Sequence, residues 1–334
     1  MKNLMKPLLT ALLLASCSGM EEPKAVDTAK WKNALTPLQR SDIVFVKPAS
    51  GLTPETFKVV QEVLPTSLSG TFIESKEIFN AGTDEERLAE LTKALSSDTP
   101  YVWSVKGGYG SARLLEGLNH FKRTTPKVLI GYSDVTFLHL LFDKWGWKTI
   151  HAAMPIDVMK SSEPENFTLL GNILEQKKGS VSYDGIKALN TKALDQKHLQ
   201  GEVIGGNLTL LANSLGTSWQ IKSKNRIILI EDAGLKGYAV DRDLNHLKQA
   251  GVFKDCTAVL FGEFVKGDAH VAHALKRFAD SVNIPVYQAN LFGHGDKNYP
   301  VPFGFKSTLD KNPSNDQFTL KINYDFTHIK GQKK

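Results

Sequence analysis

Two cysteines in 334 residues are too few to staple a disulfide scaffold. No apolar run approaches the ~20 residues a helix needs to cross a bilayer, which excludes a multi-span membrane protein. Neither sign of charge dominates: 41 Lys+Arg against 35 Asp+Glu leave +6, mild for this length. No zinc-ligand spacing, RNP-like segment or long Lys/Arg run accompanies that charge, so no nucleic-acid partner is expected. What is present is ordinary for a globular chain, 23% charged and 41% hydrophobic, which excludes a disordered or collagen-like protein. The length exceeds the ~250–300 residues at which single cores stop growing and predicts two domains.

The one continuous apolar stretch lies at the start. Lys2 and Lys6 precede the run from Pro7 to Ala15, the layout of a secretory signal. Leu14-Ala15-Ser16-Cys17 resembles a bacterial lipobox, which implies cleavage before Cys17 and a lipid on its thiol. An ordinary secretory signal with a chance cysteine is the other reading. We therefore expect residues 1–16 to be a lipoprotein signal and 17–40, polar with two prolines, to be a tether. The expected location is periplasmic and lipid-anchored, with Ser18 after the cysteine favouring the outer membrane. Residues 1–16 hold two lysines and no acid, so their removal lowers the net charge from +6 to +4. Cys256 lies in the apolar run CTAVLFG and reads as a buried, inert thiol.

From residue 41 apolar strands alternate with amphipathic helices, the sign of an α/β fold with a parallel sheet. Ile43–Val46, Tyr101–Val105 and Lys127–Ile130 read as strands. Thr53-Pro54 opens a helix to Leu64, and Thr83 to Glu86 form a capping box ahead of Leu88, Leu91 and Leu95. Ser133 to Gly146 reads as a helix burying Val135, Leu138, Leu141 and Phe142. These elements make up an N-terminal domain, residues 41–160. Residues 161–200 are polar, with one helix over Phe167–Gln176, and read as an interdomain connection. A C-terminal domain, 201–334, holds strands at Arg226–Ile230 and Ala258–Phe261, helices at Val240–Ala250 and Ala269–Val282, and a period-two strand from Phe318 to Tyr324.

Three places could carry chemistry. Gly131-Tyr132-Ser133-Asp134 sits at a strand-to-helix turn, where a serine can project Oγ above the sheet beside a free backbone N–H. The same serine could merely cap its helix. Gly107-Gly108-Tyr109-Gly110 follows a strand and offers backbone donors, although it is not a dinucleotide fingerprint and could be only a tight turn. Glu231-Asp232 ends the strand RIILIED, and His294 stands between glycines in a loop, where it has little packing to do. Serine, glutamate and histidine in this order can supply nucleophile, orienting acid and base. Asp268, His270 and His273 lack a third ligand at helical spacing and read as a solvated face, so no metal is expected. His139 reads as a core residue.

With these residues in view, the sequence resembles the LD-carboxypeptidase (muramoyltetrapeptide carboxypeptidase) family of serine peptidases. The resemblance spans about residues 41–310 and rests on five ordered blocks: KGGYGSARLL from 106, KVLIGYSD from 127, GGNLTLLANSLGT from 205, LIEDAGLKGYAVDRDLNHLKQAG from 229 and FGHGDKNYPVPFG from 292. It implies a flavodoxin-like N-terminal domain, a smaller β-rich α/β C-terminal domain, a site between them and a homodimer. By resemblance Ser133 is the nucleophile, Glu231 the acid and His294 the base. The oxyanion hole would use the N–H groups of Asp134 and of Gly108 or Gly107. The implied substrate is a murein tetrapeptide or muropeptide, cut between the L-centre of a diamino acid and the terminal D-Ala, with no cofactor. The family commonly has Arg where this chain has Lys106 and an acid where it has Leu235. His151-Ala-Ala-Met-Pro replaces a small-residue segment, a change we place at the pocket rim. A second reading is a hydrolase of aminoacyl-nucleotide amides, like the microcin-resistance branch, with Trp145, Trp147 or Trp219 to stack a base. A third is a catalytically silent murein-binding lipoprotein, which a complete triad argues against.

Overall fold

A computed structural model describes residues 28–64, 79–123, 125–159 and 162–329. The first helix, α1 (Thr28–Leu35), runs into a 3-10 turn at Thr36–Arg40. Trp31, Leu35 and Leu38 are buried, and Trp31 packs edge-on against Phe167 at 5.4 Å between centroids. The expected tether across 17–40 is thus corrected: residues 28–40 belong to the folded body, because Trp31, Ala34, Leu35 and Leu38 recur at helical spacing and cover one apolar face. The signal, Cys17 and the start of the tether lie outside the described residues.

The first sheet is built from β1 (Ile43–Val46), β2 (Tyr101–Ser104), β3 (Val128–Gly131) and β4 (Thr149–His151), all parallel and in that order. Helices connect them on the described path: α2 (Pro54–Val63), α3 (Asp84–Ser96), α4 (Leu115–Asn119) and α5 (Thr136–Lys144). Thr53 caps α2 with Pro54 at its first turn. At α3 the Thr83–Glu86 capping box forms in full, Thr83 Oγ accepting from Glu86 N–H while Glu86 accepts from Thr83 N–H. The four-residue strands are buried almost throughout, as expected of a parallel sheet covered on both faces. Ser133 opens a 3-10 turn before α5 rather than a regular helix.

After β4, helix α6 (Glu165–Gln176) packs back against α1 and the turn that follows it. The chain then builds a seven-stranded closed barrel. In chain order its first elements are β5 (Lys178–Ala188), α7 (Thr191–Leu194), β6 (His198–Asn207), α8 (Leu208–Asn213), β7 (Arg226–Ala233) and α9 (Gly237–Gln249). They are followed by β8 (Ala258–Val265), α10 (Val271–Ser281) and β9 (Val286–Gly293). Strands β6 to β9 are parallel neighbours. The barrel closes antiparallel through β11 (Lys306–Lys311) and β12 (Gln317–Asp325) onto β5 and β6. Residues 161–200 are therefore not a connection: α6 belongs to the first body and β5 to the barrel wall. The segment reads polar because every second face of β5 meets solvent. One short strand, β10 (Val301–Phe303), leaves the second domain and pairs antiparallel with β4, so the C-terminal domain completes the N-terminal sheet.

The architecture is a mixed α/β fold, a parallel-sheet N-terminal domain beside a smaller β-rich domain. The C-terminal ends of β2, β3, β7 and β9 converge, the place where parallel sheets carry their sites.

Candidate active site

Ser133 follows β3 through one extended residue, Tyr132, and holds φ +62°, a conformation disfavoured for residues other than glycine. That sharp turn lifts Oγ off the sheet. Ser111 fixes the turn from below: its N–H donates to the Asp134 carboxylate at 2.8 Å, and its Oγ–H to the Asp134 carbonyl at 2.6 Å. Asp134 is thereby tied down by its side chain, with burial pushing its carboxyl upward in pKa against the hydrogen bonds from Ser111.

The 107–110 loop lies directly over Ser133. A Cβ on Gly107 would stand 2.9 Å from Ser133 Cβ and 3.0 Å from its Oγ, so no side chain fits there. Gly108 has φ +100°, and a Cβ on it would fall 2.4 Å from Ser50 Oγ. Ser50 pins this loop at both ends, donating its N–H to the Gly107 carbonyl at 3.2 Å and accepting the Tyr109 N–H at 3.2 Å. Lys106 donates from Nζ to the Gly51 carbonyl at 2.9 Å. Gly107, Gly108 and Asp134 are thus brought together beside the serine.

The second domain supplies the rest. His294 Nε2 lies 3.0 Å from Ser133 Oγ, and its Nδ1 lies 2.5 Å from Glu231 Oε2. Glu231 falls where the β7–β8 register shifts between Ile230 and Asp232, an irregularity that redirects a side chain. It is fully buried, in space left by Gly262 and Gly293. Burial pushes its carboxyl up, but the charge and hydrogen bond of His294, with His151 nearby, outweigh that and hold it at about 2. Its neighbour Asp232 points elsewhere and accepts the Thr209 N–H and Oγ–H, both at 3.0 Å.

The His294 loop is clamped. Gly293 N–H donates to Asn298 Oδ1 at 3.1 Å, Asn298 N–H to Asn166 Oδ1 at 2.9 Å, and Asn166 Nδ2 to the Asp296 carbonyl at 3.0 Å. The Tyr132 ring packs on the His294 ring at 4.8 Å, and its hydroxyl donates to Asp157 Oδ1 at 2.9 Å. None of Ser50, Ser111, Tyr132, Asp157, Asn166 or Asn298 was legible as a site residue, because each acts through partners distant in sequence. His151 departs further from expectation. It lies not at a pocket rim but fully buried at the end of β4, with Nε2 3.8 Å from Glu231 Oε1.

Known proteins are similar to this chain in sequence and fold. The pattern described as the LD-carboxypeptidase N-terminal domain covers residues 43–152, and that of the LD-carboxypeptidase C-terminal domain covers 200–309. "Putative carboxypeptidase RC0549" of Rickettsia conorii is 40% identical over 82% of this chain and 89% of its own length. The chain belongs to the LD-carboxypeptidase family. The murein tetrapeptide carboxypeptidase of Pseudomonas aeruginosa is 28% identical over 81% of this chain and 93% of its own. Among solved structures, the muramoyltetrapeptide carboxypeptidase of Oxalobacter formigenes shares the fold with TM-score 0.70 and 21% identity, over 85% of this chain and 99% of that one. The microcin C7 self-immunity protein MccF shares it with TM-score 0.69 and 20% identity, over 85% and 96%. This LD-carboxypeptidase family member is accordingly a hydrolase of the peptidase type.

The remaining candidates fall outside the site. His139 donates from Nε2 to the Gly131 carbonyl at 2.9 Å, and burial with His151 nearby lowers its pKa to about 3. Asp268 accepts the Gly237 and His270 N–H groups at 2.9 and 3.0 Å, a turn-holding role. Among the described residues no cluster of His, Cys, Asp or Glu is arranged to hold a metal. Cys256 is buried and free, its thiol pushed up to about 12 by burial.

Proposed function

We propose that this protein is a serine LD-carboxypeptidase that removes the terminal D-Ala from murein tetrapeptides. The observation that carries the proposal is the continuous path Ser133 Oγ, His294 Nε2, His294 Nδ1, Glu231 Oε2, with contacts of 3.0 and 2.5 Å. In this reading His294 takes the Ser133 proton as Oγ attacks the carbonyl of the diamino acid's L-centre. The oxyanion accepts hydrogen bonds from the Asp134 N–H and from Gly108 or Gly107. His294 returns the proton to the leaving amine, D-alanine departs, and water attacks the acyl-enzyme by the same route in reverse. Buried, ionised Glu231 holds the His294 tautomer and stabilises the imidazolium. The murein substrate is supported by the names of the Pseudomonas and Oxalobacter relatives. A lipid on Cys17 would place the enzyme at a membrane surface in the periplasm, where murein is met, and a homodimer is proposed on family grounds.

Hydrolysis of an aminoacyl-nucleotide amide, the activity suggested by the likeness to MccF, lacks a comparable observation. Trp145 and Trp147 pack with Phe142 at 5.0 and 5.3 Å, and Trp219 packs edge-on against Phe137 at 5.1 Å. These indoles are engaged in the N-terminal core and its margin rather than gathered at Ser133. The test is to incubate the purified protein with a murein tetrapeptide and quantify D-alanine, with a peptidyl-adenylate analogue in parallel. Release abolished by Ser133→Ala supports the proposal. No release, or release unchanged in that variant, refutes it.

A further inference from the structure

We propose that His151 is a positioning residue for the triad, donating its Nε2–H to Glu231 Oε1 and so presenting Oε2 to His294. The inference deepens the serine-hydrolase reading and rests on it. Glu231 is fully buried, yet only Oε2 is hydrogen-bonded; Oε1 has no hydrogen-bond partner in the static arrangement. An ionised carboxylate offers about four acceptor sites, and an unsatisfied buried oxygen is costly. His151 Nε2 lies 3.8 Å from that oxygen, and it too is buried and without a hydrogen bond. Closing the gap by under about 1 Å gives a charge-assisted hydrogen bond, the kind of contact that is commonly long until a reacting complex forms.

The surroundings leave the ring little else to do. Tyr132 from the β3–α5 turn packs on it at 5.7 Å, Phe303 from β10 at 5.8 Å and His139 from α5 at 6.4 Å. The titratable groups facing it are therefore Glu231, His139 and Tyr132. His139 is held uncharged at neutral pH by burial, and its one ring proton sits on Nε2, committed to the Gly131 carbonyl. The Tyr132 hydroxyl is committed to Asp157. Among the described residues, Glu231 is the carboxylate within 4 Å of the ring. The β4–β10 pairing, which sets Val301 opposite His151, holds the backbone in place.

Three variants separate positioning from packing. His151→Phe keeps a ring and removes the donor. His151→Asn keeps polarity, but its amide matches Nδ1 and falls short of Oε1. His151→Gln carries an amide nitrogen near the Nε2 position. The expected result on murein tetrapeptide is a kcat lower by about 10- to 100-fold in His151→Phe and His151→Asn, with KM changed less than about twofold. His151→Gln recovers most of that loss. The acid limb of the kcat/KM profile moves to higher pH in the two ablated variants, because a Glu231 carboxylate that has lost a donor holds the His294 imidazolium more tightly. A substrate-free readout accompanies these assays: the low-field Nδ1–H proton resonance of His294 in 15N-histidine-labelled protein. It should move upfield in the ablated variants and return in His151→Gln. Equal kcat and an unmoved resonance in the ablated variants overturn the inference, as does equal impairment of all three. An inactive wild type whose resonance responds to His151 refutes the murein substrate and supports the positioning role.

Discussion

Replacing Glu231 by Gln keeps the shape of the side chain and removes its charge. The change has two consequences. The first is chemical. The amide nitrogen can face His294 Nδ1 and donate to it, which forces the ring proton onto Nε2. That nitrogen, 3.0 Å from Ser133 Oγ, could then no longer accept the serine proton. In serine hydrolases the equivalent loss of a buried orienting acid lowers kcat about 10,000-fold. The second is a linkage to stability. The Glu231 carboxyl is lowered from 4.5 to about 2 by its histidine neighbours. A folded-state value below the unfolded one contributes stability that is present above about pH 4.5 and lost as pH falls through about 2. The full shift corresponds to about 3 kcal/mol, of which about 2 kcal/mol disappears between pH 6 and pH 3. The assay is urea denaturation of wild type and Glu231→Gln across that range, with D-alanine release measured at neutral pH. The stability difference should narrow by about 2 kcal/mol toward pH 3. A difference independent of pH, or a variant that keeps more than a tenth of the wild-type kcat, would refute the reasoning.

Gly107→Ala places a methyl group 2.9 Å from Ser133 Cβ, about 1 Å inside normal contact, and should lower kcat about 100-fold while thermal unfolding shows the fold retained. Full activity in that variant would mean the loop does not lie over the serine in solution. Trp31→Ala removes a buried ring from the α1–α6 seam and should cost about 3–5 kcal/mol in chemical denaturation. A loss under about 1 kcal/mol would restore the tether reading of residues 28–40.

The sequence was most legible where local chemistry and fold agree. Ser133 stood out because a serine between a buried strand and a helix, two residues after a glycine, admits few backbone solutions. The Thr83 capping box was legible because both of its reciprocal partners lie within four residues. Legibility failed where a residue's surroundings are assembled from far along the chain. His151 sits at a strand end in a segment that reads as loop rim; its burial is set by Phe303, 152 positions later in the numbering, and by β7. The strand β5 was hidden by composition, since a barrel wall with a solvated face needs few apolar residues. Trp31 and its partners had a helical period, but the polar residues and prolines around them outweighed it.

Ser133 and its partners His294 and Glu231 lie in different domains, and domains joined by a modest interface are expected to move. Here the seam is sewn at three separate points around the site. Asn207 N–H donates to Thr136 Oγ1 at 3.0 Å, and Gly206 lets β6 approach the start of α5 so closely that a Cβ would fall 2.4 Å from that oxygen. The Asn166 side chain holds the His294 loop to the first turn of α6, donating to the Asp296 carbonyl and accepting the Asn298 N–H. Strand β10, which begins seven residues after His294, is hydrogen-bonded into the first sheet opposite His151. A hinge motion that separated Ser133 from His294 would break all three seams and withdraw a strand from a sheet. The 3.0 Å contact between Ser133 and His294 is therefore a property of one joint core, held without any opening of the domains.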